Sequence, residues 1–152
     1  MSSARIFAVE NRLARIAKQP GGRTFNEAVK SAERKVESVR ERCMVALAGK
    51  AKELAAATEA AKAGPDGDLA EVYRLANAIY GLAGDFELKG LAEAALSLCD
   101  VVHAFRQTPP INWAAIDVHV DGIRLLNQKG EAVAEPVLEG LRRVQARFAA
   151  PD

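Results

Sequence analysis

The 152-residue chain predicts an all-α fold: an up-and-down antiparallel four-helix bundle preceded by a helical N-terminal extension. Three observations predict it. Aromatic residues make up only 5% of the chain and runs of β-branched residues are absent, so strands have little to build from. Apolar residues recur at spacings of three and four, the period of a helix that buries one face. Breaker clusters, QPGG at 19–22, AGPDGD at 63–68 and QTPPIN at 107–112, cut the chain into pieces of helix length.

In order, residues 4–17 predict a short helix burying Ile6, Val9, Leu13 and Ile16 before the QPGG break. Thr24-Phe25-Asn26-Glu27 fits a capping box that opens a long helix over 25–63, roughly 58 Å if unbroken, with a bend expected at Gly49. Its stripe is Val29, Ala32, Val36, Val39, Cys43, Leu47, Ala51 and Leu54, close to a heptad alternation. At 63–68 Gly64 is suited to a left-handed cap, and Asp68 caps the following helix. That helix carries a seam of Val72, Leu75, Ile79, Leu82 and Phe86. A helix over about 88–106 buries Leu91, Ala95, Leu98, Val102 and Phe105, and another, ending near Gln128, is lined by Trp113, Ile116, Val120 and Ile123. After Gly130 a last helix carries Val137, Leu141, Val144 and Phe148, with Pro136 tolerated in its first turn. Similar lengths and short connections imply antiparallel neighbours, so residues 1–22 form the extension and 23–150 the bundle.

A chain of this size buries enough surface for an unassisted core, and the widely spaced Cys43 and Cys99 suggest neither a disulfide framework nor a zinc site. Neither a signal peptide nor a run of about 18 apolar residues is evident, which predicts a cytoplasmic protein without membrane attachment. The net charge is +1 but unevenly spread: residues 1–52 carry 12 Lys/Arg against 5 Asp/Glu, and residues 64–105 carry 2 against 7. In AERKVESVRER the basic residues interleave with Glu33, Glu37 and Glu41 as on a solvated helix face, and clustered base with stacking aromatics is missing, so nucleic acid is not expected as a partner.

The stretch IYGLAGDFELKG, residues 79–90, carries Gly81 and Gly84 inside a predicted helix. Each costs roughly 1 kcal/mol against alanine, which suggests that bare backbone is wanted there. Tyr80 sits beside the seam with Asn77, Ala83 and Gly84 as its helical neighbours, an aromatic anchor standing over small residues. The competing explanation is close packing of two helices through the small residues.

YRLANAIYGLAGDFELKGLAEAALSLCDVV, residues 73–102, resembles the core of histidine phosphotransfer domains, in which a phosphoacceptor histidine is followed at fixed spacing by an aliphatic residue and a glycine. Leu82 and Gly84 match those positions, Gly90 a later glycine, and Ser97-Leu98-Cys99 a stretch on the next helix. AIDVHVDGIRLL, 115–126, is similar to a signature further on, including His119 and Asp121, so the resemblance spans residues 68–127. It implies a four-helix bundle in two-component, phosphorelay or chemotaxis signalling that meets receiver domains of response regulators or histidine kinases.

The chain departs from that pattern where the chemistry lies. Tyr80 stands at the acceptor position, Ala83 replaces the usual basic residue and Asp85 a common glutamine. A phenol, with a pKa of about 10, forms a far less labile phosphate ester than an imidazole, so phosphotransfer is not expected here. The resemblance implies a docking face of Asn77, Tyr80, Ala83, Gly84, Asp85, Lys89 and Glu93 on a non-catalytic protein without cofactor or metal, and with no enzymatic activity. Two alternatives stay open: a true relay through His103 or His119, both beside apolar seams, or an oligomerisation module such as a homodimer, built on the basic long helix. Asp117 and Asp121 lie two residues either side of His119, on other faces of the helix, which argues against a metal cluster.

Overall fold

The computed structural model describes residues 15–16 and 21–149. The extension predicted over 4–17 therefore lies almost wholly outside the described residues; Arg15 and Ile16 are helical. All regular structure among the described residues is helical: α1 Phe25–Ala63, α2 Ala70–Asp85, α3 Lys89–Gln107, α4 Trp113–Lys129, a 3-10 turn Gly130–Val133, and α5 Ala134–Ala149. None of these helices is long and apolar enough to cross a membrane. The chain divides into two compact units, 1–38 and 39–152.

In the first unit the capping box forms as its sequence requires. The Thr24 amide donates to Glu27 Oε2 at 2.8 Å and the Glu27 amide to Thr24 Oγ1 at 3.3 Å. The hydrogen bond from the Thr24 amide holds the Glu27 carboxyl below its ordinary range. The apolar stripe is not buried here: Val29 is 38% and Val36 66% exposed. The helix runs through Gly49 without a break.

In the second unit, burial begins at Cys43 and continues through Leu47, Ala51, Leu54, Thr58 and Ala61. The buried Thr58 hydroxyl donates back to the Leu54 carbonyl at 2.9 Å, which removes the cost of enclosing it. Cys43 Sγ lies 4.0 Å from the Leu82 carbonyl of α2, and Lys62 Nζ lies 2.5 Å from Asp117 of α4, so this half of α1 touches two neighbours. Helix α3 packs against α2, α4 and α5, and α4 against α5. Leu47, Leu54, Leu75, Ile79, Leu98, Ile116 and Ile123 are fully enclosed, and with Leu138 and Leu141 of α5 they form one core fed by all five helices.

Between α1 and α2 the left-handed residue is Gly67, φ 57°, and not Gly64. A Cβ on Gly67 would sit 2.8 Å from Ile111 Cδ1, so only glycine lets the turn lie on the apolar Ile111 and Trp113. Asp68 Oδ1 accepts from the Ala70 amide at 2.9 Å, while the buried Leu69 occupies the cap position itself. Between α2 and α3, the Leu88 amide donates to the Ala83 carbonyl (2.9 Å) and the Glu87 amide to the Gly84 carbonyl (3.2 Å). This is a Schellman turn, with Glu87 at φ 59° where glycine is usual. Asn112 caps α4 by accepting the Ala115 amide at 3.1 Å.

The α2 seam departs from the predicted one in its last turn. Val72, Leu75, Ala76, Ile79 and Ala83 are buried, whereas Leu82 and Phe86 lie at the edge. After Ile79 the 3.6-residue period brings position 83 inward, and the small alanine lets the neighbouring helix close over it. Likewise Leu138 joins Leu141 in the α5 core, with Val137 and Val144 at its margin.

Candidate functional site

The predicted face falls on the last two turns of α2 and the first two of α3, joined by the Schellman turn. Tyr80 projects from α2 with 41% of its surface exposed, and Asn77, Gly84, Asp85, Lys89 and Glu93 are exposed as well. Ala83 does not belong with them: it is fully buried and packs in the core. A residue three positions from Tyr80 shares its side of the helix only in part, and here it is turned inward by the seam.

The four glycines of this region separate into two kinds. A Cβ added to Gly81 or Gly84 would meet nothing within 4 Å, so among the described residues no other part of the chain closes on either glycine. At Gly90 an added Cβ would lie 2.6 Å from Ala134 Cβ, and at Gly122 3.3 Å from Leu141 Cδ1 and Val137 Cγ1. Close packing therefore accounts for Gly90 and Gly122 and leaves the bare backbone beside Tyr80 facing open space.

Tyr73 was missed in the sequence. It is 37% exposed and stands seven residues before Tyr80, two turns along the same helix, with Asn77 between them. The exposed strip thus runs Tyr73, Asn77, Tyr80, Gly84, with Gly81 alongside. Spacing from Tyr80 would have found it, had the strip been followed backward as well as forward.

The charges around the strip are partly committed. Arg142 of α5 donates to Glu93 Oε1 from Nε at 3.1 Å and from Nη2 at 2.7 Å, so Glu93 is tied across to another helix. Asp85 lies close enough to Cys43 to raise its thiol, although burial is the larger cause. Both cysteines are free and buried, and burial pushes Cys99 up to about 11, which leaves it a protonated, unreactive thiol.

The two histidines part company. His119 is fully buried. Its Nδ1 lies 2.7 Å from the Ala115 carbonyl, which can only accept, so Nδ1 carries the proton and Nε2 receives the Ser97 hydroxyl at 3.0 Å. Ser97 Oγ also lies 3.3 Å from Gln145 Oε1, so α3, α4 and α5 meet at one part-buried polar node where the single Ser97 proton serves one of two acceptors. Burial lowers the His119 pKa, opposed in part by the Ala115 hydrogen bond. With both nitrogens occupied and no access to solvent, His119 cannot accept a phosphoryl group from another protein. His103, in contrast, is exposed on α3. Asp117 is held by Lys62 and Asp121 by Arg124 (3.3 Å), so the carboxylates flanking His119 are paired with basic side chains.

No protein-family model, curated protein or solved structure matches the chain.

Proposed function

We propose that the protein is a phosphotransfer-like helical adaptor that binds a receiver domain, or a histidine kinase, in the cytoplasm without relaying phosphate. The observation that carries this reading is the exposed Tyr80 side chain on the same stretch of helix as the unobstructed backbone of Gly81 and Gly84. An aromatic side chain with two torsions, beside a surface stripped of side chains, suits a partner helix laid across it. The reading needs a bundle, and the short connections support one: three residues between α2 and α3 and five between α3 and α4 favour packed neighbours that run antiparallel. The docking strip is Tyr73, Asn77, Tyr80, Gly81 and Gly84, with Asp85 and Lys89 at its rim. Ala83 lies beneath it, and Glu93 is tied to Arg142.

The chemistry of the strip favours gripping over transfer. A phenol takes the acceptor's place, and the residue three positions on, where a cation would help to neutralise a phosphoryl group, is a buried alanine. Titration of receiver domains against the wild type and Tyr80→Ala tests the reading. Loss of an interfacial anchor is expected to weaken binding about tenfold or more, ~1.4 kcal/mol. Equal affinities would remove Tyr80 from the interface.

His103 keeps one competing reading alive, because its ring is exposed where that of His119 is not. A relay through His103 would place acid-labile label on the protein after incubation with a phosphorylated receiver, and His103→Gln would abolish that label.

A further inference from the structure

The apolar stripe of α1 is used by the core only in its second part. From Cys43 onward it is enclosed, yet Phe25 (82%), Val29 (38%), Val36 (66%) and Val39 (51%) remain exposed. These four, with the exposed Ala32, fall at spacings of four, three, four and three, which assigns Phe25, Ala32 and Val39 to d and Val29 and Val36 to a of a heptad. An a/d seam left in water is an incomplete coiled coil, and its flanks say what completes it. The e and g positions are Asn26, Glu33 and Arg40 on one edge and Ala28, Lys35 and Arg42 on the other, three cations against one anion.

A second copy of the chain fits poorly. In a parallel pair Lys35 would face Arg40 of the other copy on both edges. In an antiparallel pair with Val36 on Val39, Glu33 gains Arg40 but Lys35 meets Arg42. With Ala32 on Val36, Glu33 meets its own counterpart and so does Lys35. Every self-pairing that covers both Val36 and Val39 therefore opposes like charges, which costs stability at these positions. We infer that residues 25–42 of α1 form a docking surface for an amphipathic helix of another protein, apolar at its own a and d positions and acidic along its flanks. The inference does not rest on the phosphotransfer-like reading.

The test titrates the whole chain against two labelled synthetic peptides of roughly three heptads with the same Ile/Leu seam, one carrying Glu and the other Lys at every e and g position. The Glu peptide is expected to bind about tenfold more tightly at about 50 mM salt, with the gap shrinking at about 500 mM. Reversing the three cations, Lys35→Glu with Arg40→Glu and Arg42→Glu, should invert the preference, and Val36→Asp should abolish binding of both peptides. Equal affinity for the two peptides, or binding of neither, overturns the proposal. So does a concentration-dependent doubling of mass in sedimentation that Val36→Asp removes, which would give the seam to a second copy.

Discussion

Glu131 holds the first turn of α3 by its backbone: both carboxylate oxygens accept from the Gly90 amide, at 2.9 and 3.0 Å. The carboxylate sits where a helix leaves its amides without partners and where its dipole is positive, so one side chain of the 3-10 turn serves both needs. The contact depends on glycine, because a Cβ at position 90 would be 3.0 Å from Glu131 Oε2 and 2.6 Å from Ala134 Cβ. Gly90→Ala is therefore expected to destabilise the protein by about 1–3 kcal/mol despite alanine's better helix propensity, read as a lower urea midpoint. Glu131→Gln keeps the shape and one acceptor, and should lose less.

The opposite outcome is expected two turns earlier. Gly81→Ala and Gly84→Ala place a methyl group in open space within a regular helix, so each should stabilise by about 0.5–1 kcal/mol. If the bare backbone serves a docked helix, the same substitutions weaken partner binding while raising the melting temperature. A rise in stability with binding unchanged would show that the two glycines carry no function in this face.

Where the sequence was legible, the cause was local or periodic. The Thr24–Glu27 box, the breaks at 63–68 and 107–112, and the seams of α3 and α4 follow from spacings within one element. What was not legible depended on neighbours. Nothing in the α1 stripe announces that enclosure begins at Cys43, because Val36 and Leu47 obey one pattern and differ only in what lies against them. Ala83 is ambiguous for the same reason: alanine suits an exposed rim and a tight helix contact equally, and the helix packed over it decides. The division of the glycines into open (Gly81, Gly84) and packed (Gly90, Gly122) was invisible until the facing residues were known.

His119 predicts a pH dependence. Its pKa is lowered in the folded state by burial, so the unfolded chain, at about 6.5, binds the proton more readily. The stability that comes from burying the neutral ring is fully present above pH about 6.5. It declines as pH falls through that value, by at most ~1.4 kcal/mol per unit, until the folded-state pKa is passed. Glu27 and Glu71, whose carboxyls are lowered by Thr24 and Arg74, lose their contributions only as pH falls below the ordinary carboxyl range. Urea midpoints from pH 8 to 5 should therefore fall in the wild type. In His119→Gln, less stable at pH 8 for want of the Ala115 and Ser97 contacts, they should stay nearly flat across that interval. A parallel slope in both proteins would place the titrating group elsewhere.

Glu87 offers a gain in stability at no cost to the core. It is the single non-glycine residue with positive φ among those described, held at 59° by the Schellman turn that reverses the chain from α2 to α3. A side chain in the left-handed region costs roughly 1–2 kcal/mol, and glycine at this position of the turn avoids it. The greater freedom of glycine in the unfolded chain offsets part of that, so Glu87→Gly should stabilise by about 0.5–1 kcal/mol. Glu87→Ala separates backbone from charge: it removes the carboxylate but keeps the Cβ, and should leave stability close to wild type. A gain in Glu87→Ala equal to that in Glu87→Gly would show that relief of repulsion from the neighbouring Asp85, and not the backbone, had limited this turn.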